Sequence, residues 1–289
     1  MKTDYTRRIT AGQELKLLLR EYFRTMTGNR KDLLVTLLFP ALAALIAVWI
    51  AGENMFVTYE GTKSACFVLV SAAIWGGLFN SIQTIVKERA MVKRNLISGG
   101  MRSGCYMISR AVLQLLLCAM QSAILSLSFI GVSIRYGNDL PLEGILGPSA
   151  MAEYYVTMLL LMFSADAMGL MISAMVKKAE TASVMAPYIL IVQLIFSGIL
   201  FTLKGAADKA SLIMLSRWGM EGLGSVSDLN SLPLRLQSDF PMLPHEAEDM
   251  FTSSAGHLLL VWAVLAGFSL LFLVIGNIML RRVVNDSRE

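Results

Sequence analysis

The chain has 289 residues, 55% of them hydrophobic and only 16% charged, with a mean hydropathy of +0.61. A soluble domain carries about 25% charged residues, so much of this surface must face something other than water. The formal net charge of +4 has to be read from where the charges sit. Two histidines, His245 and His257, exclude a His-rich metal site. The three cysteines, Cys66, Cys105 and Cys118, lie in or beside apolar runs and make no disulfide framework.

Residues 1–32 hold no apolar run and nothing like a signal peptide, so they are expected to stay in the cytosol. Within them, 13–26 reads as an amphipathic helix. Leu15, Leu18, Leu19, Tyr22, Phe23 and Met26 share one face, and Glu14, Lys16, Arg20, Glu21 and Arg24 take the other. A basic helix of this kind lies in the membrane interface, either as a simple anchor or as an elbow that also touches a cytosolic partner.

Six apolar runs follow, at 33–51 (with Pro40 inside), 65–86, 105–134, 151–176, 183–203 and 256–280. Each can cross about 30 Å of hydrocarbon as a helix. They are too long for strands, and their backbone groups must be satisfied within each segment. The fold class expected is an all-α membrane protein, with a cytosolic segment at 1–32 and a six-helix domain at 33–289. With the N-terminus inside, the inner segments 1–32, 87–104, 177–182 and 281–289 hold 18 Lys and Arg. The outer segments 52–64, 135–150 and 204–255 hold 6, and Arg110 sits at the inner start of the third run. This asymmetry places both termini in the cytosol and makes the basic balance a topology signal rather than a nucleic-acid footprint.

The loop after the second run is charged, yet helical spacing continues from Lys87 to Leu96, where Gly99 and Gly100 stop it. A span is therefore expected to continue into the cytosol, end, and re-enter through a short turn. In the outer segment 204–255 the first half, with Leu212, Ile213, Leu215, Trp218, Met220 and Leu223, suits short helices on the bundle. The second half, with Pro233, Pro241, Pro244, Glu246, Glu248 and Asp249, reads as loop.

No phosphate-binding G-x-x-x-x-G-K-[ST] loop, H-E-x-x-H, C-x-x-C or G-x-S-x-G occurs, so the chain is expected not to be an enzyme and to bind no cofactor itself. One acid, Asp166, falls deep within a run, about 16 Å from Lys177 by helix rise. A charge at that depth costs several kcal/mol unless paired or wetted. Asp166 reads either as a cavity or proton-relay residue, or as a neutral structural acid among small residues that pack helices closely.

Two stretches carry a family resemblance. Glu88-Arg89, followed by Ile97-Ser98-Gly99, Arg102-Ser103 and Cys105-Tyr106, resembles the loop before the third span of ABCG (White-type) transporters. Residues 195–200 (Ile-Phe-Ser-Gly-Ile-Leu) and 215–223 (Leu-Ser-Arg-Trp-Gly-Met-Glu-Gly-Leu) resemble the fifth span and outer re-entrant helices of that family and of type-2 exporter permeases. The resemblance implies a transmembrane permease of an ATP-driven exporter of amphipathic or apolar substrates, in a bacterial inner membrane. Its partners would be an ATP-binding subunit or domain holding ATP and Mg, a second permease copy and membrane lipid. It implies coupling roles for Glu88, Arg89, Arg94, Ile97, Ser98, Gly99 and Arg102, a substrate path at Ile191, Leu194 and Ile195, and an apolar plug at Ile199 and Leu200. The chain departs from the family at Asn95, where an acid is common, leaving Glu88 with Arg94 or Arg110 to supply the charge pair. It departs again at Ser216, where proline is common before the outer arginine. The rival readings are an ion-coupled transporter using Asp166 and a membrane anchor or sensor subunit that transports nothing.

Overall fold

Thr10 opens the first helix with a reciprocal cap. Its hydroxyl accepts from the Gln13 N–H, and its own N–H donates to the Gln13 side chain at 3.2 Å. Helix α1, Ala11–Gly28, leads into α2, Arg30–Ala51, which passes Pro40 without ending. The computed structural model describes residues 10–52, 55–98, 101–137, 141, 143–199, 201, 204–233 and 248–283, and no strand occurs among them. Gly99, Gly100, Leu200, Pro241, Pro244 and Glu246 lie outside the described residues.

After α2 come α3, Tyr59–Ser81; α4, Thr84–Lys87; α5, Arg89–Ile97; and α6, Ser103–Arg135. Then follow α7, Ala150–Met175; α8, Ala179–Ile195; α9, Ala206–Ser211; α10, Leu215–Val226; and α11, Ala255–Arg282. Among the described residues, five helical segments are long and apolar enough to cross a membrane: α2, α3 with α4, α6, α7 and α11. The 17-residue α8 is apolar but shorter.

Two runs differ from their sequence reading. The second begins at Tyr59 and breaks after Ser81 and again at Glu88, rather than continuing as one helix into the charged loop. The first break is held by α7, because the Ser173 hydroxyl accepts the Ile85 and Val86 N–H groups, each at 3.0 Å. Ser173→Ala would leave buried amides without an acceptor and is expected to lower stability by about 1–3 kcal/mol, read as an earlier thermal transition in detergent. The fifth run stops as a helix at Ile195 instead of reaching 203. Ser197 turns back to donate to the Leu194 carbonyl at 2.7 Å, and Gly198 takes φ +80°, a region costly for any residue with a Cβ.

Helix α7 is the hub, with α3 on one side and α11 on the other. It runs parallel to α11: Trp262 donates to Thr157 at 2.9 Å, Ser164 and Ser269 share a hydroxyl contact at 2.9 Å, and Gly276 lies against Met171. The chain from 176 to 254 must therefore return to the end of the bundle where α7 began. Helix α10 is buried among α3, α7 and α11, and it lies close because Gly219 faces Leu161 and Gly222 faces Thr157 and Val261. A smaller core at the other end gathers Tyr22, Ile85, Val92, Tyr106 and Leu280 under α1 and α5.

Candidate functional site

The junction expected on the inner side is built by three elements that meet where α4 ends. Glu88 closes α4 and starts α5, and its carboxylate pairs with Arg110 of α6 and accepts from the Tyr106 hydroxyl at 3.1 Å. The Arg110 guanidinium lies over the Tyr22 ring of α1, 3.5 Å from its centroid. Burial pushes the Tyr22 phenol up to about 12, so it stays uncharged beside this pair. Arg89 donates to the Ala174 and Val176 carbonyls at 3.2 and 2.9 Å, satisfying the end of α7. At the start of α6, the Arg102 N–H donates to Glu14 at 2.6 Å, and its guanidinium stands 3.9 Å from the same carboxylate. The loop is thus tied to α1, α6 and α7 together.

Of the residues singled out from sequence, Glu88, Arg89 and Arg102 meet at this junction. Arg94 does not: it is exposed on α5, and Arg110 supplies the partner of Glu88. Ala90, Lys93, Arg94, Ile97 and Ser98 line a shallow open surface pocket, with Ile97 59% exposed. Glu14 and Tyr22 have central roles that sequence reasoning missed. Glu14 reads as a solvent-face charge and Tyr22 as one more apolar-face residue. The only available signal was the phenol of Tyr22, a polar tip on an otherwise apolar stripe.

At the opposite end, the turn after α8 meets the start of α10. The Gln193 side chain accepts the Ser216 N–H at 3.0 Å, and the Ser216 hydroxyl donates to the Gln193 carbonyl at 2.5 Å. Both bonds need the residue that replaces the family's proline, which has no N–H. Behind them Arg217 donates to the buried Glu221 at 2.6 Å and pairs with Asp208 at 3.3 Å, close beside Gly198. Ile199 is half-buried against the core. Ile191 and Ile195 stand exposed on α8 in one stripe with Val184 and Tyr188, while Leu194 is half-buried.

Asp166 is wholly buried where α7 crosses α3, and neither carboxylate oxygen has a hydrogen-bond partner among the described residues. No group of His, Cys, Asp and Glu among them could hold a metal.

The family model described as ABC-2 type transporter matches residues 13–226, a stretch that runs from α1 through the end of α10. Over 253 residues the chain is 22% identical to the ABC transporter ATP-binding/permease protein Rv1747 of Mycobacterium tuberculosis. That alignment covers 84% of this chain and 28% of the relative, so the chain spans little more than a quarter of that protein's length.

Proposed function

Because the chain belongs to the ABC-2 type transporter family, as its transmembrane permease, we propose that it forms half of an ATP-driven exporter, with two copies around a central path. ABC permeases pair with ATP-binding domains, and the mycobacterial relative carries both parts in one protein. In this reading the ATPase docks on the exposed face of α5, around Arg94, Ile97 and Ser98. Glu88, Arg89 and Arg102 pass its movement to α1, α6 and α7. Both ends of the chain face the cytosol of a bacterial inner membrane.

The fifth crossing is α8. The parallel course of α7 and α11 supports it, since the chain between them has to cross back once. So does the inner placement of Lys177, Lys178, Arg281 and Arg282, which needs an even number of crossings. The exposed stripe at Val184, Tyr188, Ile191 and Ile195 faces the second copy and carries amphipathic or apolar cargo toward Ile199 and Leu200. There the tight turn at Ser197–Gly198, latched to α10, closes the outer exit. The cargo class follows from that lining, which offers apolar surface and a single phenol.

The observation that carries this reading is the inner junction, where one charged loop is bonded to three helices at once. Its test is a proteoliposome assay with the partner ATPase. Arg102→Glu sets two acids against each other and is expected to lower transport-coupled hydrolysis about two- to fivefold, the factor matching an exposed pair of about 0.5–1 kcal/mol. Ile97→Asp on the docking face should weaken ATPase binding. Unchanged hydrolysis and binding in both variants would sink the coupling assignment.

A further inference from the structure

A cleft of two adjoining cavities opens between α2, α3 and α6 and reaches down to α1. Its upper part is a cavity of about 340 Å³ walled by Val35, Phe39, Trp75 and Phe79. Its lower part, of about 210 Å³, ends at Tyr22 and Arg110. Asn80 and Leu117 line both parts. Trp75 and Phe79 stack at 5.8 Å yet remain 42% and 46% exposed, so they form an apolar wall whose open side no described residue covers.

The floor is polar. Asn80 donates to the Gln121 Oε1 at 2.6 Å, and Gln121 donates to the Asn80 Oδ1 at 3.2 Å and to the Thr36 carbonyl at 3.1 Å. Gln121 has no amide hydrogen to spare, whereas each amide oxygen keeps a second lone pair. The floor therefore offers two acceptor oxygens and the second N–H of Asn80. Further in, the Arg110 Nε–H is buried without a partner among the described residues. Arg110 is already neutralised by Glu88, so the cleft carries no net charge to hold an anion. Side-chain amides at membrane depth are expensive on a surface that meets only hydrocarbon, and they mark places where something polar comes. A hydroxyl both donates and accepts, which matches the amide oxygens and the spare N–H of the Asn80–Gln121 pair.

We propose that this cleft binds a neutral, hydroxyl-bearing lipid from the inner half of the bilayer, with its polar group on Asn80 and Gln121 and its chain along Trp75 and Phe79. The placement in the inner half rests on the cytosolic orientation of α1 given above, whereas the binding itself does not. The site lies apart from the α8 stripe assigned to cargo.

The test uses the whole chain in phosphatidylcholine nanodiscs containing trace monoglucosyl diacylglycerol with a diazirine near the middle of one chain. Matched phosphatidic acid with the same tail serves as the comparison. Photolabelling is read by peptide mass spectrometry, with no ATPase present, so failure of the exporter reading leaves the result unaffected. The glucolipid is expected to label the segments holding Phe39, Trp75 and Phe79 roughly tenfold more than phosphatidic acid does, the factor one or two hydrogen bonds supply. Val35→Trp fills the mouth from a position 67% exposed, so folding is not at risk, and should remove that labelling. Gln121→Leu should erase the preference between the two lipids. Equal labelling by both lipids, labelling spread over exposed faces such as Leu127 and Leu270, absence of label in the cleft, or a signal that survives Val35→Trp would each overturn the proposal.

Discussion

Gly77→Leu and Gly169→Leu are each expected to prevent the bundle from assembling, and even Gly77→Ala should cost about 1–3 kcal/mol by overpacking. The reason is a reciprocal crossing of α3 and α7. A Cβ on Gly77 would stand 3.0 Å from both the Ala165 Cβ and the Asp166 nitrogen, and hard against the Met162 carbonyl oxygen. A Cβ on Gly169 would stand 2.9 Å from the Leu78 carbonyl oxygen and 3.2 Å from the Ile82 nitrogen. All but the Ala165 Cβ are backbone atoms, and none of them can swing aside as the far end of a long side chain does. Each glycine has a small residue four positions away on its own helix, Ser81 for Gly77 and Ala165 for Gly169, the spacing that lets membrane helices approach closely. Ser81 then donates to the Asp166 carbonyl at 2.6 Å, a bond that only this close approach permits. Size-exclusion profiles in detergent should show aggregate for both leucine variants. Gly131→Leu and Gly267→Leu, where a Cβ meets open space, should elute as the parent does. A monodisperse Gly77→Leu protein would show that this crossing does not hold the bundle together.

The crossing also shows what the sequence could and could not reveal. Small residues around Asp166 are visible in the string Ser164-Ala165-Asp166-Ala167-Met168-Gly169, and close packing is the reading they support. Which helix packs there is not visible, because Gly76-Gly77 is one of several glycine sites in apolar runs. The same limit applies at the inner junction. The family resemblance of the charged loop brings Glu88, Arg89 and Arg102 to attention. Their partners come from α1, α6 and α7, through contacts separated by up to 88 positions in the chain. Local periodicity carries no information about such pairs.

The errors in helix ends have one physical origin. A hydropathy run records where apolar side chains are, and the backbone is free to turn within it whenever neighbours satisfy its polar groups. Ser173 does this for Ile85 and Val86, and Ser197 with Gly198 does it after Ile195. Both breaks fall at short polar stretches, Asn80-Ser81-Ile82-Gln83-Thr84 and Ser197-Gly198, too brief to interrupt a hydropathy run. Both fall where a helix meets a charged or latched segment.

Arg110 is the second position where a single change should be severe. Its side chain is 13% exposed and that of Glu88 is 32% exposed, so removing either charge leaves the other poorly solvated. Arg110→Met and Glu88→Gln are each expected to cost about 2–3 kcal/mol, below the figure for a fully buried pair because Glu88 keeps some water. The double variant Glu88→Gln with Arg110→Gln should recover part of that loss, giving a coupling energy of about 1–3 kcal/mol in the mutant cycle. Arg110→Lys separates two contributions. It keeps the charge but loses the planar group that lies on Tyr22, so it should fall between the parent and Arg110→Met in thermal stability. Because Tyr22 is the contact through which α1 reaches this pair, Arg110→Lys should also let ATP hydrolysis proceed with less transport per ATP. A lysine variant as stable and as well coupled as the parent would mean that α1 is held by its other contacts, chiefly Glu14 with Arg102. Additive losses in the double variant would mean that Glu88 and Arg110 stabilise the junction independently rather than as a pair.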